Sequence, residues 1–160
     1  MPRYEYWDIS DPALTSLQGD LWQGQTFTPV VAHTIESVLL TMYRVGNPGT
    51  ITVSIKATDV DGHPDGADLA VDTTDGDTLP TLYAGEEREI AFGVGAALTD
   101  GTKYAIVVAA LTGDQSNYVR WRSSKAAPYP RGNHEFSSDG GVTWETDATR
   151  DMMFEEWGTP

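Results

Sequence analysis

The chain has no cysteine. That removes both a disulfide framework and a thiolate metal site, and it leaves the redox compartment open. Basic residues are scarce: ten Lys and Arg stand against 24 Asp and Glu, a formal charge of −14. A nucleic-acid partner would need a basic stripe and anionic lipid would repel this surface, so neither nucleic acid nor membrane is expected. No apolar segment is long enough to span a bilayer; the longest, Tyr104 to Leu111, has the length of one buried strand. No segment carries a 3.6-residue period, which leaves little room for helix. Histidine is rare: His33, His63 and His134 sit in or beside predicted loops without H-x-x-x-H spacing, and read as surface residues.

What is present is strand grammar. Thr50 to Ala57 alternates strictly, with Ile51, Val53, Ile55 and Ala57 on one side and Thr50, Thr52, Ser54 and Lys56 on the other. Such alternation predicts one face in a core and one in water. Strands are also expected over Gln25 to Thr28, where Pro29 stops the run, and over Thr34 to Val45, Leu69 to Val71, Glu87 to Phe92, Lys103 to Ala110, Ser116 to Ser123 and Met152 to Trp157. Tyr4 to Trp7 reads as a short strand or an extended arm, and Asp8 to Gln23 as an irregular connection. Roughly ten strands with turn signals between them predict an all-β fold, an antiparallel two-sheet β-sandwich of jelly-roll type. Residues 1–24 are expected as an N-terminal arm or first strand, and residues 25–160 as a single sandwich domain.

Ser137-Ser138-Asp139-Gly140-Gly141-Val142-Thr143-Trp144 fits S-x-D-x-G-x-T-W, the pattern called an Asp-box. Its physics is that of a hairpin tip. Asp139 accepts backbone N–H groups ahead of it, Gly140 or Gly141 supplies a positive φ, and Trp144 folds its ring under the turn. In families that carry Asp-boxes, sialidases among them, the hairpin is structural. Ser137, Asp139, Gly141 and Trp144 are therefore assigned to a structural hairpin.

The order of Gln25-Thr26-Phe27-Thr28-Pro29, Tyr43 to Gly49, Val53-Ser54-Ile55, Leu98 to Val107 and Asn117 to Arg122 resembles jelly-roll domains described as choice-of-anchor or carbohydrate-binding-module-like. The resemblance covers the chain from Gln25 onward. It implies a non-catalytic sandwich used for display, adhesion or binding, as found in surface proteins and in structural proteins of tailed phages. The expected role is a virion structural or accessory protein of head-decoration or tail-fibre type. Its partners would be a capsid or tail protein and further copies of itself, as a trimer or another closed oligomer. The alternative is a carbohydrate-binding module with a glycan as partner. Met1 to Glu5 opens without an apolar signal region, so the virion surface, after assembly in a host cytoplasm, is the expected location, with an extracellular one as the alternative.

Candidate chemistry is sparse. No Ser nucleophile arrangement is visible, and among 24 acids some pair always lies close, so the paired carboxylates of a glycosidase gain no support; no enzyme is expected. Asp59-Val60-Asp61-Gly62-His63-Pro64-Asp65 resembles a calcium loop in its D-x-D-G start. An EF-hand would need an acid at His63 and Glu at Ala70, so that motif is excluded. The readings left open are a looser structural calcium site on Asp59, Asp61 and Asp65, or a polar turn. On the strand from Ser116, Tyr118, Arg120 and Arg122 share one side and Trp121 takes the other. These four are candidates for a ligand site or interface, against the alternative of an outer face whose arginines pair with nearby acids. Tyr4, Tyr6 and Trp7 either complete a sheet or dock on another subunit.

Overall fold

The computed structural model describes residues 1–9 and 14–160; the Asp11-Pro12 part of the expected irregular connection lies outside them. The strands are β1 (Arg3–Trp7), β2 (Leu14–Leu17), β3 (Trp22–Phe27), β4 (His33–Val45), β5 (Thr50–Thr58), β6 (Pro64–Asp75), β7 (Glu86–Leu98), β8 (Tyr104–Ala109), β9 (Tyr118–Ser124), β10 (His134–Ser137), β11 (Glu145–Asp147), β12 (Asp151–Met152) and β13 (Phe154–Thr159). The fold is an all-β, antiparallel two-sheet sandwich. One sheet runs β1-β13-β4-β9-β12, with β2 on β9 and β7 on β4; the other runs β11-β10-β3-β8-β5-β6.

The alternation seen in the sequence decides what faces the interior. Ile35, Val38, Leu40 and Met42 of β4, Trp121 of β9 and Phe154 of β13 meet Ile51, Val53 and Ile55 of β5 and Ile106 and Val108 of β8 in one apolar core. Phe27 and Phe154 lock the two layers together, their rings tilted at 6.1 Å. Each such side chain contributes about 1.5–3 kcal/mol by leaving water, which is what holds the sheets face to face.

Four strand expectations need correction. β3 begins at Trp22, three residues earlier than its polar sequence suggests, and β2 forms inside the stretch read as irregular. β6 is twelve residues long and β7 thirteen. Both carry bulges: β6 slips against β5 between Ile55 and Ala57, and β7 slips against β4 between Ile35 and Ser37. Past the first bulge Ala57 leaves the core and is exposed, against the expected continuation of the Ile51–Ile55 face.

Candidate groove on the six-stranded sheet

Because Phe27, Ile106, Val108, Ile51, Val53 and Ile55 point inward, the intervening residues of β3, β8 and β5 point out. They are Trp22 and Gly24, then Val107 and Ala109, then Thr52, Ser54 and Lys56. Apart from Trp22 and Lys56, this outer face carries small side chains. It is a trough with a tryptophan wall.

The wall has two rings. Trp22 donates its indole N–H to the Gly19 carbonyl at 3.0 Å, which fixes its plane. Its six-membered ring packs on Gly141: a Cβ there would meet Trp22 Cζ3 at 2.6 Å. Trp144 lies over Gly24, where a Cβ would sit 3.6 Å from Trp144 Cζ3. Each tryptophan thus rests on a glycine of the other's segment. Between these rings and the β5–β6 hairpin lies a cleft of about 510 Å³, lined by Trp22, Trp144, Lys56, His63, Asp59 and Asp65. A smaller depression of about 120 Å³ continues from Trp22 and Lys56 over Ser54, Thr52, Val107 and Ala109.

The Ser137–Trp144 turn supplies one bank. Asp139 Oδ1 accepts the Thr143 N–H at 2.8 Å and the Ser137 hydroxyl at 2.8 Å, and Ser137 Oγ accepts the Gly141 N–H at 2.8 Å. Hydrogen bonds from Thr143 and Ser137 hold the Asp139 carboxyl down at about 2. Both glycines have positive φ, 72° and 83°. The expected hairpin tip is there, but Trp144 precedes the return strand β11 and its ring is half-buried against the trough.

A polar pair links the two banks. Glu135 of β10, 2 % exposed, accepts a hydrogen bond from His63 Nδ1 of the β5–β6 hairpin at 2.8 Å and from the Thr146 hydroxyl at 2.7 Å. Burial pushes the Glu135 carboxyl up, while His63 and Thr146 pull it back. The same contact raises His63 above its ordinary value. Lys56 is neutralised by Asp68 at 2.9 Å and donates to the Gly66 carbonyl at 2.9 Å.

The expected site residues are not gathered in one place. Trp121 is fully buried and donates its indole N–H to the Met153 carbonyl at 2.8 Å; it is a core residue, which corrects its candidacy as a ligand contact. Tyr118, Arg120 and Arg122 lie on the other sheet. Arg122 is 8 % exposed and donates to the Tyr83 carbonyl at 2.9 Å. Its guanidinium stacks on Tyr83 at 4.4 Å, and that of Arg120 on Tyr118 at 5.1 Å. Cation–π stacking on tyrosine helps to hold these arginines in place. Tyr4, Tyr6 and Trp7 belong to β1, which completes the seven-stranded sheet on β13.

Asp59 spends its carboxylate on the turn, with Oδ1 accepting the Asp61 and His63 N–H groups at 2.9 and 3.0 Å. Among the described residues no group of three or more acids or histidines is placed to hold a metal ion, so Asp59, Asp61 and Asp65 do not converge as the calcium reading required. The histidines correct the surface reading as well. His33 and His134 are each 4 % exposed, bonded at 2.6 Å to Glu156 and to Gln23.

Sequence reasoning missed Trp22, Lys56 and the His63–Glu135 pair. The signal for Trp22 was the alternation Trp22, Gly24, Thr26, obscured by Gln23 and Gln25. Those glutamines face inward because each is fully bonded: Gln23 donates to the Ser16 carbonyl at 2.8 Å, and Gln25 bonds Asp151 at 3.0 Å and the Met152 N–H at 2.7 Å. No family model matches the chain and no curated protein is significantly similar to it.

Proposed function

We propose that this protein is a non-catalytic carbohydrate-binding module, whose ligand lies in the trough walled by Trp22 and Trp144. The observation that carries the reading is the two held indole rings over a floor of small residues. Sugar rings present an apolar C–H face that stacks on an aromatic plane, and a rim of hydroxyls that pairs with polar groups. The trough offers both, with aromatic faces on one bank and His63, Asp65 and Lys56 on the other. Each ring is worth about 0.5–1.5 kcal/mol beyond its buried area.

Charge narrows the ligand. The chain carries −14, and the lysine in the trough is already paired with Asp68. A sulfated or carboxylated polymer would meet net repulsion, so the favoured ligand is a neutral glycan. Catalysis gains no support from the acids nearby, because Asp59 caps its turn and Glu135 is covered. Screening against neutral and acidic oligosaccharides tests the reading; binding confined to neutral glycans supports it.

Assembly into a virion is the second reading, supported by one observation. β1 ends its sheet, and Tyr6 on it is 42 % exposed with Arg3 stacked over its ring at 3.6 Å. Such an edge and such residues suit a contact with a second copy or a capsid or tail protein. Light scattering across a concentration series tests it, a closed oligomer supporting assembly and a persistent monomer opposing it.

A further inference from the structure

The interior between β1, β4 and β13 holds a cluster of ionisable groups that the trough does not use. Glu5 and Glu156 are both fully buried. Glu5 Oε2 accepts from the Tyr129 hydroxyl at 2.6 Å and from Arg131 Nη2 and Nε at 2.6 and 3.0 Å. Glu156 Oε1 lies 2.6 Å from His33 Nε2. The second oxygen of each carboxyl is buried without a partner. Tyr4 closes the cluster from β1, its ring stacked on His33 at 3.7 Å and parallel within 2°.

The hydrogen-bond pattern fixes where one proton must be. His33 Nδ1 sits 2.8 Å from the Val31 carbonyl, which only accepts, so Nδ1 carries a hydrogen. A neutral His33 then presents a bare lone pair at Nε2. That lone pair faces a carboxyl oxygen at 2.6 Å, a contact that is attractive only if one further proton lies between them, on either atom.

The charge count agrees. Glu5 and Arg131 cancel, and the His33–Glu156 pair is neutral only with that proton in place. Without it a net negative charge would stand in a dry interior, the costliest arrangement available to a buried acid. Tyr4, Glu5, His33, Tyr129, Arg131 and Glu156 are the titratable groups facing this site from β1, β4, β13 and the loop before β10. Burial raises the Glu156 carboxyl, while its hydrogen bond and charge interaction with His33 and the Glu5 backbone N–H pull it back.

We propose that the fold traps one proton between His33 and Glu156, and that losing it as the pH rises releases strand β1. Among the described strands β1 pairs only with β13. It supplies both the lid, Tyr4, and the second buried carboxylate, Glu5, so its departure hydrates every group at once. Removing that proton leaves a net negative charge in the interior, so the latch is closed at low pH and opens as the pH rises.

Trypsin cleavage after Arg3, followed by mass spectrometry and corrected against an unstructured peptide, reads the latch directly. Between about pH 6 and about pH 9 the native chain should lose at least roughly tenfold in protection. Glu156→Gln replaces the trapped proton by an amide N–H that cannot leave at these pH values, and should stay protected throughout. Equal pH profiles for native and variant, or a flat native profile, would overturn the proposal. Should the variant fail to fold, nitrogen NMR of the native chain decides. His33 Nε2 should lose its proton, or its bond to one, together with the β1 amide signals, and β1 signals that persist through that step would sink the latch.

Discussion

The six-membered ring of Trp22 packs on Gly141 so closely that a Cβ there would lie 2.6 Å from it. A tight turn and an aromatic wall are thereby one mechanical unit: the turn cannot change shape without moving the ring, and the ring cannot settle unless residue 141 lacks a side chain.

Gly141→Ala should consequently damage fold and binding together. The residue has φ 83°, a region where a non-glycine residue costs about 1–3 kcal/mol, and the new methyl group would push Trp22 off its plane. Urea unfolding should give a lower midpoint with an unchanged slope, and the same sample should bind glycan more weakly.

Trp121→Ala and Tyr118→Ala separate core from surface on a single strand. Removing Trp121 empties a fully buried site and should cost about 3–5 kcal/mol of stability. Tyr118 is half-exposed and its ring carries the Arg120 stack, so its removal should stay within about 1 kcal/mol. Thermal melts of the two variants check both.

Acid should weaken the fold in two stages. Burial pushes His134 down to about 4, against about 6.5 in an unfolded chain. Between those values the unfolded state binds the extra proton, so this contribution is full above the unfolded value and fades as pH falls toward about 4. Asp139, held at about 2, acts lower: its contribution is present above the unfolded value of about 3.9 and fades toward about 2. His134→Gln should flatten the first stage and Asp139→Asn the second, in melts recorded across pH.

The two-sheet sandwich was legible because its core strands obey the simplest rule. Ile51-Val53-Ile55 and Ile35 to Met42 alternate or nearly so, and no competing helical period exists. What stayed hidden was hidden by polarity in the interior. Gln23, Gln25, His33, His134, Glu5 and Glu156 are all buried, each held by partners from 7 to 127 positions away along the chain, and local patterning carries no trace of such bonds. That concealed the start of β3, and with it Trp22. The site was half legible. Trp144 stood out in its turn motif, but nothing local says that its ring would lie over Gly24 beside a second tryptophan from β3. The arginines of β9 drew attention by being rare in an acidic chain, and Arg122's tyrosine partner Tyr83 comes from a distant loop.

Binding of a neutral glycan in the Trp22–Trp144 trough can be read by heat. Calorimetric titration with a neutral oligosaccharide selected on a glycan array, for the native chain, Trp22→Ala, Trp144→Ala and Arg120→Ala, tests it most directly. Each tryptophan variant should lose roughly tenfold in affinity while staying folded, and Arg120→Ala should bind as the native chain does. Affinity unchanged in both tryptophan variants, or no binding to any neutral glycan on the array, would contradict it.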